Sequence, residues 1–474
     1  MVFLNNIIVR LQHVELINFK NIKRGTITFP SYTKKEYFNK KSEIIGLYGQ
    51  NGSGKTALVD AMQILKHTLQ GERLPESTYD YIFQTANSTE LKFVFYIEHK
   101  QERYLVFYEF EVSKAKNLSV KNSKEEVLVK ISKEKLSYKK YVNNSWKSKR
   151  VIIDYDVNYK DVVFKPIGNF KEIVANTDDN QVDIKFSKKW SENNSKSFIF
   201  SDETRKIINA CKSWNEYNNI INCLNYYAST NLFVIKNNYS GLINMNFLIP
   251  LSFRIESEEN ITQGDLAIEL LNPSIVSRKK FKLIVRLIKQ MNIVMDTIIP
   301  GLSIEIKDYG QQMMENGFEG IRMELLAARE EVKIPLKYES DGIKKIISIL
   351  STLIAMYNNN SVCMVVDELD AGIFEYLLGE ILQIIDEGGK GQLIFTSHNL
   401  RPLEKLDRKS LIFTTTDPKN RYIRFSNVQS NNNLRSLYYR SINLGGQNKE
   451  VYKETNSYEI SRAFRLAGRT IIEN

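Results

Sequence analysis

The sequence predicts an α/β fold with a mixed sheet, and three observations support this prediction. A glycine-rich loop at residues 49–56 lies between an apolar run and an amphipathic helical pattern. Two apolar runs, at residues 362–366 and 393–396, end in polar residues, as buried parallel strands do at the sheet edge where ligands bind. Residues 91–140 alternate and cluster aromatic side chains as antiparallel strands do. We therefore expect a parallel sheet together with an antiparallel β part.

The glycine-rich loop matches the pattern G-x-x-x-x-G-K-[ST], in which backbone amides and a helix N-terminus surround phosphate groups. Residues 44–48 form the preceding apolar run, and apolar residues recur at helical spacing from Leu58 to Leu69. The loop therefore predicts a site for a nucleoside triphosphate. The predicted nucleotide-binding residues are Gly49, Gln50, Asn51, Gly52, Ser53, Gly54, Lys55 and Thr56.

Two side chains of this loop have predicted chemical roles. We expect Lys55 to reach the β- and γ-phosphates and the Thr56 hydroxyl to ligate Mg²⁺. Because no Asn-Lys-x-Asp element for guanine is present, the sequence favours ATP over GTP.

Two acidic residues follow the strand predicted at 362–366. Asp367 is expected to hold Mg²⁺, and Glu368 is expected to act as the general base for the attacking water. The alternative is that both are solvated acids at a strand end, which is weak beside a phosphate-binding loop.

Two further elements indicate which kind of nucleotide site this is. His398 follows the next apolar strand, where it is either a structural histidine or a residue that contacts the γ-phosphate. Ser340, Asp341 and Gly342 open an amphipathic helix that continues to Ile354. Ser340 either caps this helix only, or its helix N-terminus binds the γ-phosphate held by a second protomer.

These motifs resemble those of ABC-type ATPases of the AAA family of the OLD kind, which are relatives of RecF and SMC heads. The chain also resembles the ATPase subunits of bacterial antiphage and abortive-infection systems such as PARIS, Septu and AbiL. The residues that carry the resemblance are 18–20, 49–56, 339–342, 367–368 and 396–399. Asp341 stands where transporters have glycine, a departure that this kind of ATPase tolerates.

The resemblance implies an ABC-type ATPase that binds ATP and Mg²⁺ and hydrolyses ATP between two protomers. It implies that Ser340 and Gly342 bind nucleotide in trans, and that His398 is the switch histidine. Gln84 is the nearest candidate for the metal-binding glutamine of this kind of site, and its alternative role is a surface turn residue.

Four regions are predicted along the 474 residues. Residues 1–150 form an N-terminal ATPase lobe with the P-loop and the antiparallel β part, and residues 151–295 form a mainly helical insertion. Residues 296–430 form a C-terminal ATPase lobe, and residues 431–474 form a tail.

Composition narrows the class of partner. The net charge is +11, and residues 111–150 hold 12 basic and 4 acidic side chains interleaved with Tyr138, Tyr141 and Trp146. These residues predict either a surface that binds nucleic-acid phosphates or an ordinary solvent-exposed surface, and the sequence leaves both open. No apolar run has the ~18 residues of a membrane span, and no signal peptide or disulfide pattern is seen. We therefore expect a cytoplasmic protein without a membrane partner.

Two functions remain open at this stage. The first is an ATPase that dimerises around ATP, senses infection through nucleic acid or a phage protein, and controls a separately encoded effector, with a nuclease as the expected effector class. The effector is expected to be separate because the roughly 75 residues after His398 are too few for the C-terminal nuclease of OLD proteins. The alternative is a RecF- or SMC-like DNA-binding ATPase in DNA repair or maintenance.

Overall fold

The fold is described from a computed structural model of the chain. The described residues are 7–38, 40–115, 129–175, 178–256, 261–314, 317–425, 434–444, 450–453 and 456–470.

The strands of the described residues are, in chain order, β1 (Ile8–Phe19), β2 (Ile22–Thr28), β3 (Glu43–Tyr48), β4 (Ser88–His99), β5 (Glu102–Lys114), β6 (Val129–Val142), β7 (Ser145–Trp146), β8 (Arg150–Asp156), β9 (Phe164–Lys165), β10 (Leu232–Ile235), β11 (Leu248–Glu256), β12 (Ile261–Glu269), β13 (Ser274–Ser277), β14 (Ser303–Met313), β15 (Glu319–Arg329), β16 (Val332–Pro335), β17 (Cys363–Val366), β18 (Gln392–Thr396), β19 (Leu411–Thr414) and β20 (Tyr422–Ile423).

The α-helices of the same residues are α1 (Pro30–Lys34), α2 (Lys55–Gln70), α3 (Ile167–Val174), α4 (Asp178–Asn193), α5 (Asp202–Ala210), α6 (Asn215–Thr230), α7 (Asn238–Asn244), α8 (Arg278–Ile298), α9 (Asp341–Asn358), α10 (Glu375–Gly388), α11 (Pro402–Lys405), α12 (Leu434–Leu444) and α13 (Ser457–Thr470). None of the helices in the described part of the chain is long and apolar enough to cross a membrane.

The central sheet has the strand order β10-β17-β18-β3-β19-β20, and all of its neighbours pair in parallel except the last two. Its strands are short and apolar on both faces, as parallel strands covered on both sides must be. The strand that precedes the P-loop, β3, therefore lies beside β18, and β18 lies beside β17. This order brings the ends of three predicted motif strands to one edge of the sheet.

A second, antiparallel sheet covers one side of the nucleotide-binding half, with the order β2-β1-β4-β5-β6-β8-β9 and β7 paired to β6. Its inward side chains join α2, α6 and one face of the central sheet in a single hydrophobic core. The opposite face of the central sheet packs with α8, α9, α10 and the β11–β12 hairpin in a second core. The predicted α/β fold with a mixed sheet and an antiparallel β part is confirmed.

The region between residues 151 and 295 is less helical than the sequence pattern predicts. Its helices are concentrated in α3–α6 and α8, whereas β8 and β9 extend the antiparallel sheet. The short strand β10 joins the central sheet as the neighbour of β17. These strands escape detection because they are short and pair with distant segments, so that their stability depends on partners rather than on local pattern.

A buried polar network joins the two sheets. Arg10 on β1 donates to the Glu43 carboxylate on β3 at 2.9 Å and to the backbone carbonyls of Lys390 and Lys41 at 2.7 and 2.8 Å. Gln392 on β18 exchanges two 2.8 Å hydrogen bonds with the backbone of Leu11. Because buried charges are tolerated only when paired, this network fixes how the antiparallel sheet sits on the central one.

Candidate active site

The P-loop adopts the conformation expected of a phosphate-binding turn. Gly54 immediately precedes α2 with φ 99°, and Gly52 has φ 75°, both in the left-handed region that glycine favours. At Gly49, an added Cβ would lie 1.7 Å from Thr414 Oγ1, so only glycine fits against β19. Thr56 is exposed, and α2 begins at Lys55, so the N-terminal amides of this helix are available to an anion.

Side chains from the C-terminal half hold the loop in place. The hydroxyls of Ser53 and Thr414 hydrogen-bond each other at 2.5 Å, and the Tyr422 hydroxyl donates to the Gly54 carbonyl at 2.7 Å. Arg421 donates to the Asn21 carbonyl at 2.7 Å in the turn between β1 and β2. The sequence analysis did not identify Thr414, Arg421 or Tyr422, because these contacts join residues that are more than 350 positions apart.

Lys55 is folded back onto its own loop. Its Nζ donates to the Gly49 carbonyl at 2.7 Å and to the Gln50 carbonyl at 3.1 Å. Burial lowers the pKa of Lys55, and the carboxylates of Asp367, Glu368 and Asp370 oppose that shift. The ammonium group is thus available to exchange these two carbonyls for phosphate oxygens, which bind an ammonium more strongly.

Asp367 and Thr56 meet at the end of β17. The Thr56 hydroxyl lies 3.4 Å from Asp367 Oδ1, and the Thr396 hydroxyl donates to the same oxygen at 2.7 Å. Asp367 is buried, and both of these hydroxyl contacts reach its Oδ1. The structure therefore brings together the two predicted Mg²⁺ ligands from positions 311 residues apart.

Glu368 is held in an unusual backbone conformation. Its φ is 48°, a left-handed value that is uncommon outside glycine and costs of the order of 1 kcal/mol or more. Its amide donates to the Thr396 hydroxyl at 2.7 Å, and its Oε2 accepts from Asn237 Nδ2 at 2.6 Å. The Glu368 backbone is therefore held from β18, and its carboxylate is oriented by Asn237 after β10.

Asn237 is a site residue that the sequence analysis missed. It follows β10, whose last residue Ile235 pairs with Val366 directly before Asp367. Its Oδ1 is buried and has no hydrogen-bond partner among the described residues. The signal in the sequence is slight, because the apolar run at residues 232–235 before Lys236 and Asn237 has only four residues.

Lys236 belongs to a second ion cluster, beside the P-loop helix α2. Its Nζ lies 2.7 Å from Asp60 Oδ1, and Lys20 pairs with the other oxygen of the same carboxylate. Burial lowers the pKa of Lys236, but the bond to Asp60 outweighs it and the net shift is upward. This cluster joins the turn after β1, helix α2 and the end of β10, so Lys20 has a role within the fold of the site.

His398 lies on the exposed side of the site. Its backbone amide and that of Asn399 donate to Asp370 Oδ2 at 3.0 and 2.9 Å, which fixes the loop after β18 to the loop after β17. Its ring is exposed, so it can contact a ligand at the sheet edge. Its predicted contact with the γ-phosphate stays a prediction.

Ser340 and Gly342 form the N-terminus of α9. The Ser340 hydroxyl accepts from the Ile343 amide at 3.3 Å and its side chain is exposed, so it is a helix cap with a free surface. A Cβ on Gly342 would lie 1.9 Å from the Gly372 carbonyl in the loop after β17. Gly342 is thus explained by close packing within one chain, and its role in binding nucleotide stays a prediction.

Gln84 lies in an exposed turn before β4 and lines an open cavity with Lys20, Asn21 and Lys114. No hydrogen bond joins it to Thr56 or Asp367 in the described part of the chain. Its assignment as a metal ligand stays a prediction, and Asn237 occupies the place beside Glu368.

The assembled residues fit a bound ATP with Mg²⁺. Lys55, whose ammonium is capped only by loop carbonyls, would hold the β- and γ-phosphates together with the amides of residues 50–56. Thr56 and Asp367 would hold Mg²⁺, which supplies charge neutralisation at the phosphates.

The chain is similar to a known protein family and to several solved structures. The profile of the RecF/RecN/SMC N-terminal domain matches residues 10–420. No curated protein sequence matches the chain. Similar solved structures include the SMC head domain from Thermotoga maritima, with 14% identity over 88% of this chain and 99% of that one, at a TM-score of 0.36.

Two further structures are similar at the same level. The SmcHead bound to the C-winged helix domain of ScpA has 14% identity over 88% of this chain and 98% of that one, at a TM-score of 0.39. The recombination mediator protein RecF-ATP of the RecFOR pathway has 14% identity over 83% and 94%, at a TM-score of 0.32. With its P-loop, the Asp367–Glu368 pair and a profile match over residues 10–420, the chain belongs to the RecF/RecN/SMC N-terminal domain family, an ABC-type ATPase family.

Proposed function

We propose that the chain is an ATP-hydrolysing subunit that dimerises around ATP and controls a separately encoded effector, a nuclease, in a bacterial antiphage or abortive-infection system. The observation that carries the ATPase part is the meeting of Thr56 with Asp367 beside the oriented Glu368 carboxylate. The antiphage part rests on the resemblance of the motif set to the ATPase subunits of such systems.

In the proposed reaction, Glu368 accepts a proton from the water that attacks the γ-phosphate. Asn237 holds one oxygen of the Glu368 carboxylate, which leaves the other carboxylate oxygen to take the proton. Lys55 stabilises the charge that develops on the phosphate oxygens.

The N-terminus of α9 supports an ATP site that is built from two protomers. Ser340 is exposed, and its hydroxyl accepts the capping hydrogen bond from the Ile343 amide. A helix N-terminus that opens to solvent in one chain is available to an anion held by another. Each composite site would then combine the P-loop of one chain with Ser340 of its partner.

The insertion favours a regulatory role over that of a long-armed SMC protein. The region between the P-loop and β17 folds into strands and short helices packed on the ATPase core, and the longest helix in it within the described residues, α8, has 21 residues. Hydrolysis would thus set how long the ATP-bound conformation lasts, and the effector would respond to that conformation.

A second candidate function is a RecF- or SMC-like DNA-binding ATPase in DNA repair or maintenance. The family match and the net charge of +11 favour it. Within the described part of residues 111–150, however, Lys133, Lys135, Lys140 and Lys149 all pair with carboxylates across the antiparallel sheet. Residues 116–128 of this basic stretch lie outside the described residues. ATP-dependent, salt-sensitive DNA binding by the isolated protein would support this second function.

The decisive experiment is the variant Ser340→Arg. If Ser340 meets the γ-phosphate of a neighbour, a bulky arginine blocks closure, so we expect normal ATP binding, little hydrolysis and no ATP-induced dimer. If Ser340 is a cap only, the substitution costs about 1 kcal/mol of stability and leaves self-association unchanged.

Mixing Ser340→Arg with Lys55→Ala provides the matched control. One of the two composite sites in a mixed dimer then pairs an intact P-loop with an intact Ser340, so turnover is partly restored. Absence of recovery in mixed dimers that are shown to form contradicts independent sites built in trans.

A further inference from the structure

The C-terminal helix α13 has an exposed apolar face. Ile460, Ala463, Phe464 and Ala467 recur at i, i+3, i+4 and i+7, which places them on one side of the helix. Ile460 is 45% exposed and Phe464 is 76% exposed, and the residues from Ser457 to Ala467 are all exposed except the half-buried Ser461. A helix with this pattern normally packs its apolar side on another surface.

The segment before α13 lies on the P-loop. The Lys453 amide donates to the Gln50 side chain at 3.2 Å, and the Thr416 amide donates to the Glu450 carbonyl at 2.9 Å. Val451 between them is buried. The tail is therefore anchored at residues 450–453 beside the nucleotide site, although it follows the whole ATPase core in sequence.

This anchor limits where α13 can act. Ser457 follows Lys453 by four residues, a span of at most ~14 Å, and a helix of 14 residues is ~21 Å long. Any surface that α13 covers must therefore lie near the P-loop. In the proposed dimer, ATP lies between the P-loop of one protomer and Ser340 of its partner. The partner's surface around Ser340, called the signature face below, is therefore the nearest surface of the second copy.

The signature face carries a matching apolar patch. Tyr338 is 70% exposed, Phe374 is 69% exposed, and Tyr376 is 53% exposed. Tyr338 lies two residues before Ser340, and Phe374 lies two residues after Gly372, whose carbonyl contacts Gly342. Phe374 and Tyr376 stack with ring centroids 5.8 Å apart, so these two rings form one apolar surface.

The charged side chains of α13 lie away from its apolar face. On α13, Arg462 and Arg465 are exposed on the side of the helix away from Phe464. Beside the aromatic patch, Asp341 and Glu380 are exposed and Glu375 is half-buried. The two sets of charges therefore do not face each other, and the apolar side chains carry the proposed contact.

We propose that α13 of one protomer packs its Ile460–Phe464 face on the Tyr338–Phe374–Tyr376 patch of a second copy of this chain, and thereby latches the ATP-bound dimer. This inference rests on the proposed ATP sandwich. The latch helix α13 follows residues 450–453, which contact the P-loop through Gln50. Nucleotide binding at the P-loop is therefore coupled to the position of α13.

The test uses the full chain carrying Glu368→Gln, which is expected to bind ATP without hydrolysing it. Phe464→Asp should weaken the ATP-induced dimer by roughly tenfold or more, because a central apolar contact is lost. The matched control is Tyr458→Asp, which changes an exposed aromatic residue on the opposite side of the same helix and should leave dimerisation unchanged. Dimer dissociation constants come from analytical ultracentrifugation with ATP.

A photo-crosslinking residue, benzoylphenylalanine, placed at position 464 identifies the surface that is covered. With ATP we expect an adduct of twice the chain mass whose joined peptide contains Tyr338 or Phe374–Tyr376, and mixing isotope-labelled with unlabelled protein shows that it joins two copies. The same residue placed at position 458 should not give this adduct.

Three outcomes overturn the inference. If an ATP-induced dimer forms but Phe464→Asp does not weaken it, the latch is wrong while the proposed function stands. If position 464 crosslinks only within one chain, or only to an added effector, α13 serves another partner. If no ATP-induced dimer forms, the proposed function fails together with the latch.

Discussion

The contact between Asn237 and Glu368 yields the sharpest catalytic prediction. Asn237 Nδ2 lies 2.6 Å from Glu368 Oε2, a short hydrogen bond to a carboxylate that is also constrained by a φ of 48°. Asn237→Ala removes this bond and frees the carboxylate to rotate away from the attacking water. A hydrogen bond to a charged group contributes about 1.5–3 kcal/mol, which corresponds to roughly 10- to 150-fold in rate if it acts in the transition state.

The assay separates binding from chemistry. We expect phosphate release to fall by roughly 10- to 150-fold, while ATP affinity, measured with a fluorescent nucleotide, stays within about threefold of the parent value. Asn358→Ala is the matched control, because Asn358 is exposed at the end of α9 and donates only to the Ile354 carbonyl. A turnover rate within twofold of the parent for Asn237→Ala would refute the orienting role of this residue.

Two further predictions concern binding and stability. Lys55→Ala should weaken ATP binding by roughly 100-fold, because the only buried ammonium within the P-loop is lost. Isothermal titration measures the ATP affinity, with the exposed variant Lys34→Ala as the control. An affinity within a few-fold of the parent contradicts the phosphate-binding role of Lys55. Glu43→Gln should leave the buried Arg10 charge without its partner at a cost of about 3 kcal/mol, which lowers Tm by roughly 3 °C for a chain of 474 residues. Glu36→Gln removes one partner of the exposed Lys34–Glu36 ion pair and should leave Tm unchanged. If Glu43→Gln and Glu36→Gln have the same Tm, the buried network adds no stability.

The sequence predicts the elements whose signal is local. The P-loop, the strand that ends at Asp367 and the helix that begins after Ser340 each have a periodicity or a spacing that only nearby residues set, and the structure has all of them. The placement of Thr56 against Asp367 also follows from local patterns, because parallel strands end at the same edge of a sheet.

The sequence does not reveal the residues whose role depends on distant partners. Asn237 contacts Glu368 across 131 positions, and Thr414 contacts Ser53 across 361 positions, so neither lies in a recognisable motif. The four-residue strand β10 is too short for its pattern to distinguish it from the helices around it. The pattern likewise predicts a mainly helical insertion over residues 151–295, whereas β8 at its start pairs with β6 of the N-terminal lobe.

The same distant contacts explain how one chain can couple its nucleotide to other surfaces. The P-loop touches β19 through Thr414, the β19–β20 segment through Tyr422, and the tail through Gln50, so three C-terminal elements rest on a loop from the N-terminal lobe. Any shift of the loop on binding phosphate must change at least one of these contacts, because the packing at Gly49 leaves no room for a side chain. A nucleotide-dependent change in the tail therefore requires no hinge remote from the site. Within the tail, the 3.2 Å bond from the Lys453 amide to Gln50 is the contact that a shift of the loop would break, whereas the bond from Thr416 to Glu450 does not involve the loop.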